Sequence, residues 1–195
     1  MGNSDHTIMT PYCLPYQHAS ADLRLAFAAL QERVYPELEP DEAPMHDPAL
    51  EALSFFVMEG SRVVSYAAVV RFPLHHGEEI FQAAGLSCVA TDPDHRGRGL
   101  GREVVGTATR AILHSDADIA LFTCDRPLLP FYQGAGPWRE AVKLRLVGND
   151  KPGALNSDDL GKAVLLRLLS EKARHNAGLF NDTTVNLRFA DGNFI

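Results

Sequence analysis

The glycine–arginine run at residues 96–101, "RGRGLG", constrains the fold of this chain more than any other stretch. It follows a strand-like run that ends at Thr91. After it, apolar residues recur at helical spacing, at positions 100, 104, 108 and 112. Glycines at a strand-to-helix junction expose backbone N–H groups, and a helix N-terminus adds unpaired donors and a positive dipole. Together with two arginines, this arrangement predicts a phosphate site.

Two common phosphate motifs do not fit the spacing of this run. A dinucleotide fingerprint needs a third glycine three residues after the second, but those positions hold Arg102 and Val104. A Walker loop needs Gly-Lys followed by Ser or Thr, and the Gly-Lys pair at 161–162 is followed by Ala163. The run therefore indicates neither a Rossmann domain nor a P-loop.

Periodicity along the rest of the chain predicts an α/β fold with a mixed sheet. A helix begins after Ser20 as N-cap, a hairpin turns at 59–61, and a third strand ends at Thr91 with Gly85 marking a bulge or close backbone approach. His75 and His76 are expected in a solvated turn after Pro73. Further elements are expected at residues 117–124 (strand), 126–136 (short helix), and 138–147, 162–169 and 183–189 (strands).

Composition limits the partners of the chain. Its 195 residues suit one domain, with residues 1–17 loose or forming an edge strand. A net charge of −7 argues against nucleic acid and is compatible with a small cationic substrate. We expect no membrane partner, because no apolar run approaches spanning length. The three cysteines have no metal-ligand spacing, which fits reduced thiols in the cytoplasm and predicts no metal site.

Two stretches carry a resemblance to a known family. "VATDPDHRGRGLG" resembles the acetyl-CoA-binding motif of the GNAT superfamily of N-acetyltransferases, and "PFYQGAG" resembles its short tyrosine-bearing helix, in the same order. From Ala52 onward the chain is similar to aminoglycoside 2′-N-acetyltransferases. The resemblance implies a mixed, mostly antiparallel sheet with flanking helices and a splayed coenzyme-binding strand. It also implies acetyl-CoA as co-substrate and, by analogy, a homodimer.

The resemblance also implies roles for particular residues. The Val89 N–H polarises the thioester carbonyl. Tyr132 stabilises or protonates the departing thiolate, although a core aromatic role is the alternative. The coenzyme contacts are Val89, Ala90, Thr91, Arg96, Gly97, Arg98, Gly99, Leu100 and Gly101.

The acceptor side is less well defined by the sequence. The candidates are Glu37, Ser87, Cys88, Thr123, Asp158 and Asp159. The similar enzymes carry a carboxylate where this chain has Ser87, so the general base stays open among Asp158, Asp159, Glu37 and water. Cys88 is better read as a buried thiol than as a nucleophile, and the two aspartates either bind ammonium groups or form an acidic turn.

Three functions follow from this pattern. The first is acetyl transfer from acetyl-CoA to a small cationic amine, with an aminoglycoside as the example that the resemblance suggests. The second is acetyl transfer to another amine, such as an amino acid, a metabolite or a protein N-terminus. The third is a non-catalytic acyl-CoA-binding module.

Overall fold

The computed structural model describes residues 10–36 and 44–195, and its elements follow the predicted order. The helices are α1 (Ala21–Val34), α2 (Leu100–Leu113), α3 (Leu129–Ala135) and α4 (Glu171–His175). The strands are β1 (Tyr12–Pro15), β2 (Leu53–Glu59), β3 (Arg62–His76), β4 (Glu79–Thr91), β5 (Ile119–Asp125), β6 (Arg139–Glu140), β7 (Leu144–Val147), β8 (Lys162–Leu168) and β9 (Thr183–Asn186).

The main sheet has seven strands in the order β1-β2-β3-β4-β5-β8-β6, and β7 pairs with β9 in a small parallel sheet. All neighbours in the main sheet are antiparallel except β4 and β5. The predicted mixed, mostly antiparallel sheet is therefore confirmed. β1, in the segment expected to be loose or an edge strand, forms one edge of this sheet.

Helices α1 and α2 cover the centre of the sheet. Both pack against β3 and β4, and β3 is buried at eight successive positions, which is typical of a strand covered on both faces. The apolar face predicted for α2 is confirmed, since all four of its residues are buried: Leu100, Val104, Ala108 and Ile112. Ser20 caps α1 as predicted, because its hydroxyl accepts from the Leu23 N–H at 3.2 Å.

The parallel pair β4 and β5 stays together over only two residue pairs, beginning with Ala83 and Ile119. Beyond them the strands splay apart, as the predicted fold requires. A Cβ at Gly85 would lie 2.3 Å from the Leu121 carbonyl oxygen and 2.3 Å from Ile195 Cδ1. The close approach predicted at Gly85 is thus confirmed, and it lies where the gap between the strands opens.

Two sequence predictions were wrong. The single strand expected at 138–147 is divided between β6 and β7, because the chain turns where the Leu144 N–H donates to the Ala141 carbonyl at 3.0 Å. His75 and His76 lie at the end of β3 rather than in a turn. Pro73 does not stop this strand, since the ladder with β2 ends at Val69 and proline is tolerated at an edge.

No sequence pattern predicted α4, a five-residue helix that Ser170 caps by accepting from the Ala173 N–H. None of the helices in the described residues is long and apolar enough to cross a membrane.

Candidate active site

The glycine–arginine loop, residues 96–101, joins a 3-10 turn at Pro93–His95 to the first turn of α2. Gly97 and Gly99 have φ of 76° and 81°, a conformation that glycine adopts without strain. Gly99 is the N-cap of α2, so no side chain caps the first N–H groups of the helix. A Cβ at either glycine would meet no atom within 4 Å, and the loop backbone therefore faces open space. These features fit an anion such as a diphosphate.

A buried carboxylate anchors this loop to the sheet. Asp92 is fully buried and forms ion pairs with Arg33, at 3.1 Å, and with Arg62. It also accepts from the Asp94 N–H at 2.9 Å and contacts His95 Nδ1 at 3.1 Å. Burial alone would raise the pKa of Asp92. The hydrogen bonds and the two guanidinium charges outweigh burial and hold that pKa below its ordinary value.

His95 extends the anchor to the β2–β3 hairpin. Its Nε2 lies 2.9 Å from a Glu59 carboxylate oxygen, and Arg98 donates to the other oxygen of Glu59 at 3.4 Å. The hydrogen bond to Glu59, followed by the one to Asp92, raises the pKa of His95. The His95 contact in turn lowers the pKa of Glu59. Arg98 is thus held by Glu59, whereas Arg96 lines a cleft beside the loop.

A cleft of about 610 Å³ lies beside the glycine–arginine loop; we call it the loop cleft. It brings together most of the predicted coenzyme residues, since its lining includes Val89, Ala90, Thr91, Arg96, Gly97, Gly99, Leu100 and Gly101. The sequence reasoning missed several further lining residues, among them Tyr35, Arg102 and Asp125.

β4 bulges at Cys88 and Val89. The register against β3 shifts there, so that Ser87 pairs with Ala68 but Ala90 pairs with Tyr66. Cys88 has a φ of 51°, which is uncommon for a residue other than glycine. The bulge bends the strand where β4 has already left β5, and Val89 lies at the wall of the loop cleft.

A second cavity of about 430 Å³ occupies the gap between β4 and β5; we call it the gap cavity. The predicted acceptor residues Ser87, Cys88 and Thr123 line it. Five residues line both cavities, namely Tyr35, Val89, Asp125, Leu128 and Tyr132. The shared residues include Val89 and Tyr132, the two to which the resemblance assigns catalytic roles.

Tyr132 lies on α3 at this junction and is 6% exposed. Its ring packs edge-on against Phe122 and Phe131, with centroids 5.1 Å away in each case. Burial, with smaller contributions from Tyr35 and nearby acidic groups, raises the pKa of the phenol. Tyr132 thus remains a protonated hydrogen-bond donor at neutral pH.

The other acceptor-side candidates lie in different surroundings. The Thr123 hydroxyl donates to the Ile195 carbonyl. Burial raises the pKa of the Cys88 thiol, whose sulfur accepts from Ser87 at 3.5 Å, and a protonated thiol is a poor nucleophile. Glu37 lies outside the described residues.

The structure does not bring Asp158 and Asp159 to either cavity. Asp158 lies in a shallow groove beside β7 and β9, 3.4 Å from Arg145. Asp159 accepts from the Asn156 side chain at 2.6 Å. Asp158 is thus paired with a residue of β7, and Asp159 with a residue of its own turn. Across the described residues, no group of three or more His, Cys, Asp or Glu side chains is arranged to hold a metal ion.

Comparisons with known proteins agree with this architecture. The model of the acetyltransferase (GNAT) domain family matches residues 16–139. No curated protein matches the sequence.

Many solved structures share the fold. The GNAT family N-acetyltransferase YhbS from Escherichia coli, solved in complex with CoA, has a TM-score of 0.58 and 18% identity, covering 91% of this chain and 89% of its own. An acyl-CoA N-acyltransferase from Pseudomonas aeruginosa has a TM-score of 0.57 and 14% identity, covering 80% and 97%. The ribosomal-protein-S18-alanine N-acetyltransferase from Escherichia coli has a TM-score of 0.51 and 13% identity, covering 82% and 94%. At these identities the likeness is one of fold.

Proposed function

The chain belongs to the GNAT acetyltransferase family, and from that premise we propose that it transfers an acetyl group from acetyl-CoA to a primary amine in a ternary complex. The observation that carries the proposal is the meeting of the loop cleft and the gap cavity at Val89 and Tyr132. A thioester donor enters from the loop cleft and an amine from the gap cavity, so that the reacting groups meet at this junction.

Each part of the site has its own role in acetyl transfer. The backbone N–H groups of the glycine–arginine loop and the Arg96 guanidinium bind the diphosphate. Acetyl-CoA supplies an activated acyl group. The Val89 N–H donates to its carbonyl oxygen, where negative charge develops as the amine nitrogen bonds to the carbonyl carbon. Tyr132 donates to the sulfur as the carbon–sulfur bond breaks, and the amine proton passes to water.

The acceptor in this proposal is a small amine that carries one positive charge or more. Among the described residues that line the two cavities, Asp125 has the only acidic side chain, and its Oδ1 lies 2.6 Å from Lys162 Nζ. A carboxylate at this junction attracts an ammonium group by a charge-assisted hydrogen bond. An aminoglycoside remains the first candidate by sequence resemblance, but the positions of Asp158 and Asp159 give it no added support.

The test is turnover of acetyl-CoA against a panel of amines, followed as release of free thiol. The panel contains kanamycin and gentamicin, free amino acids, a diamine and short peptides with a free N-terminus. Release with the antibiotics alone supports aminoglycoside acetylation, and release with other amines alone supports a different acceptor. Tight binding of coenzyme A without release from any amine contradicts the proposal and favours a binding module.

A further inference from the structure

Two side chains near the end of α1 hold the bulge of β4. Gln31 Nε2 donates to the Cys88 carbonyl at 2.7 Å, and the Tyr35 hydroxyl donates to the Val89 carbonyl at 2.8 Å. Gln31 and Tyr35 are four positions apart, so they lie on the same side of the helix. Two successive carbonyls of the bulge are thus bound from outside the sheet, by residues 57 and 54 positions away.

The bond from Gln31 also determines where the neighbouring N–H points. The Cys88 carbonyl and the Val89 N–H belong to one peptide unit, and the described chain has no cis peptide bond. In a planar trans peptide the C=O and N–H bonds point in opposite directions. The Val89 N–H therefore points away from the Gln31 amide. The positive φ of Cys88 is a sparsely populated conformation, and such a conformation persists only where the surroundings hold it.

We propose that Gln31 is a positioning residue for acetyl transfer, which holds the Cys88 carbonyl and thereby aims the Val89 N–H at the thioester carbonyl. The inference rests on the proposed function and adds a residue that lines the gap cavity and acts through the backbone of the bulge. Removing a donor to a developing oxyanion directly costs about 10²–10³-fold in kcat. Loss of its orientation leaves the donor in place, so the expected effect is smaller, about 10-fold.

The experiment replaces Gln31→Met, which keeps the side-chain length and removes the donor. The main readout is the infrared stretch of the thioester carbonyl in acetyl-CoA labelled with ¹³C at that carbon, since a stronger hydrogen bond lowers the frequency and no acceptor amine is needed. We expect a shift to lower frequency on binding to the unmodified protein and a clearly smaller shift in the variant. The Kd for acetyl-CoA should stay within about 2-fold, because the diphosphate contacts are unchanged. Gln17→Met is the matched control, because Gln17 also donates to a backbone carbonyl, that of Pro48, but lines neither cavity.

Thermal unfolding shows whether the variants keep their fold. If Gln31→Met does not fold, Gln31→Glu keeps the shape and replaces the donor by an acceptor when ionised, and it should show the same loss. An equal carbonyl shift in the unmodified protein and a folded Gln31 variant overturns the inference but leaves the proposed function intact. Bound acetyl-CoA whose carbonyl shifts in neither protein, without thiol release, contradicts both.

Discussion

At the residue scale, burial sets the protonation state of Tyr132 and Cys88, two of the side chains that the sequence analysis considered for chemistry. The pKa of Tyr132 and the pKa of Cys88 are both raised, mainly by desolvation. A protonated phenol at the junction of the cavities is a useful hydrogen-bond donor, whereas a protonated thiol is not a useful nucleophile. The same physical cause therefore favours a role for Tyr132 and disfavours one for Cys88.

Replacing Tyr132→Phe should lower kcat by about 10²-fold, a typical contribution of a positioned proton donor. Because the ring and its contacts with Phe122 and Phe131 are retained, the Kd for coenzyme A should change little. Steady-state kinetics and calorimetric titration measure the two quantities. Tyr12→Phe, on the exposed edge strand, is the control. A kcat equal to that of the unmodified protein would remove Tyr132 from the mechanism.

At the scale of elements, the site is a junction of strand, turn and helix whose geometry depends on glycines. Gly99 needs a positive φ to begin α2, and Gly85 lets β4 pass close to β5 before the two strands separate. An added side chain strains the backbone at Gly99 and meets neighbouring atoms at Gly85. For each position another glycine of the chain provides a control substitution.

Replacing Gly99→Val should weaken coenzyme A binding about 10-fold or more, because the strained backbone turns its N–H groups away and the side chain enters the open space beside them. Gly153 is the control, since it has a φ of 79° and no atom within 4 Å of an added Cβ, but lies in a loop outside both cavities. Gly153→Val therefore carries the same backbone strain. Equal affinities in the two variants, measured by titration calorimetry, would contradict the phosphate role of the loop.

Replacing Gly85→Ala should lower the free energy of unfolding by about 2 kcal/mol, as overpacking in a core does. The added methyl would meet the Leu121 carbonyl, a backbone atom that cannot turn aside. Gly178→Ala is the control, because no atom lies within 4 Å of an added Cβ there. Urea unfolding of both variants gives the comparison, and two equal midpoints would show that the strands adjust at no cost.

Local sequence patterns predicted those elements whose determining residues are close together in the chain. The apolar face of α2, the hairpin before β3, the loop and the helix of Tyr132 each follow from residues close together in the sequence. The bond from Gln31 to Cys88 joins residues 57 positions apart, and no local pattern contains it. Asp158 pairs with Arg145 on β7, away from the cavities. Its position depends on β7 pairing with β9 in the small sheet, whereas the periodicity at 138–147 predicted one continuous strand.

For the whole molecule, two buried histidines give stability opposite dependences on pH. His46 is buried, with its Nε2 2.9 Å from the Tyr66 hydroxyl, and burial lowers its pKa from 6.5 to about 4. His95 has a raised pKa because of Glu59 and then Asp92. As the pH decreases from 6.5 to 4, His46 takes up a proton in the unfolded chain before it does so in the folded protein. The free energy of unfolding therefore decreases as the pH decreases. The contribution of His95 is complete below pH 6.5 and is lost as pH rises through its raised folded pKa.

The two effects together place the greatest stability near pH 6.5, and each histidine controls one side of the maximum. The difference between the folded and unfolded pKa values of His46 corresponds to about 3 kcal/mol of unfolding free energy by pH 4.

The test is the unfolding free energy measured by urea titration from pH 5 to pH 9. We expect His46→Gln to reduce the loss of stability below pH 6.5 and His95→Gln to reduce the loss above it. The window stops at pH 5 because Glu59 and Asp92, whose pKa values are lowered in the folded protein, add their own pH dependence in more acidic solution. His18→Gln, at an exposed position, is the control. The slope of the unfolding free energy against pH changes only where the folded and unfolded states bind different numbers of protons. Variants that shift the unfolding free energy equally at every pH would therefore show that neither histidine governs the pH dependence.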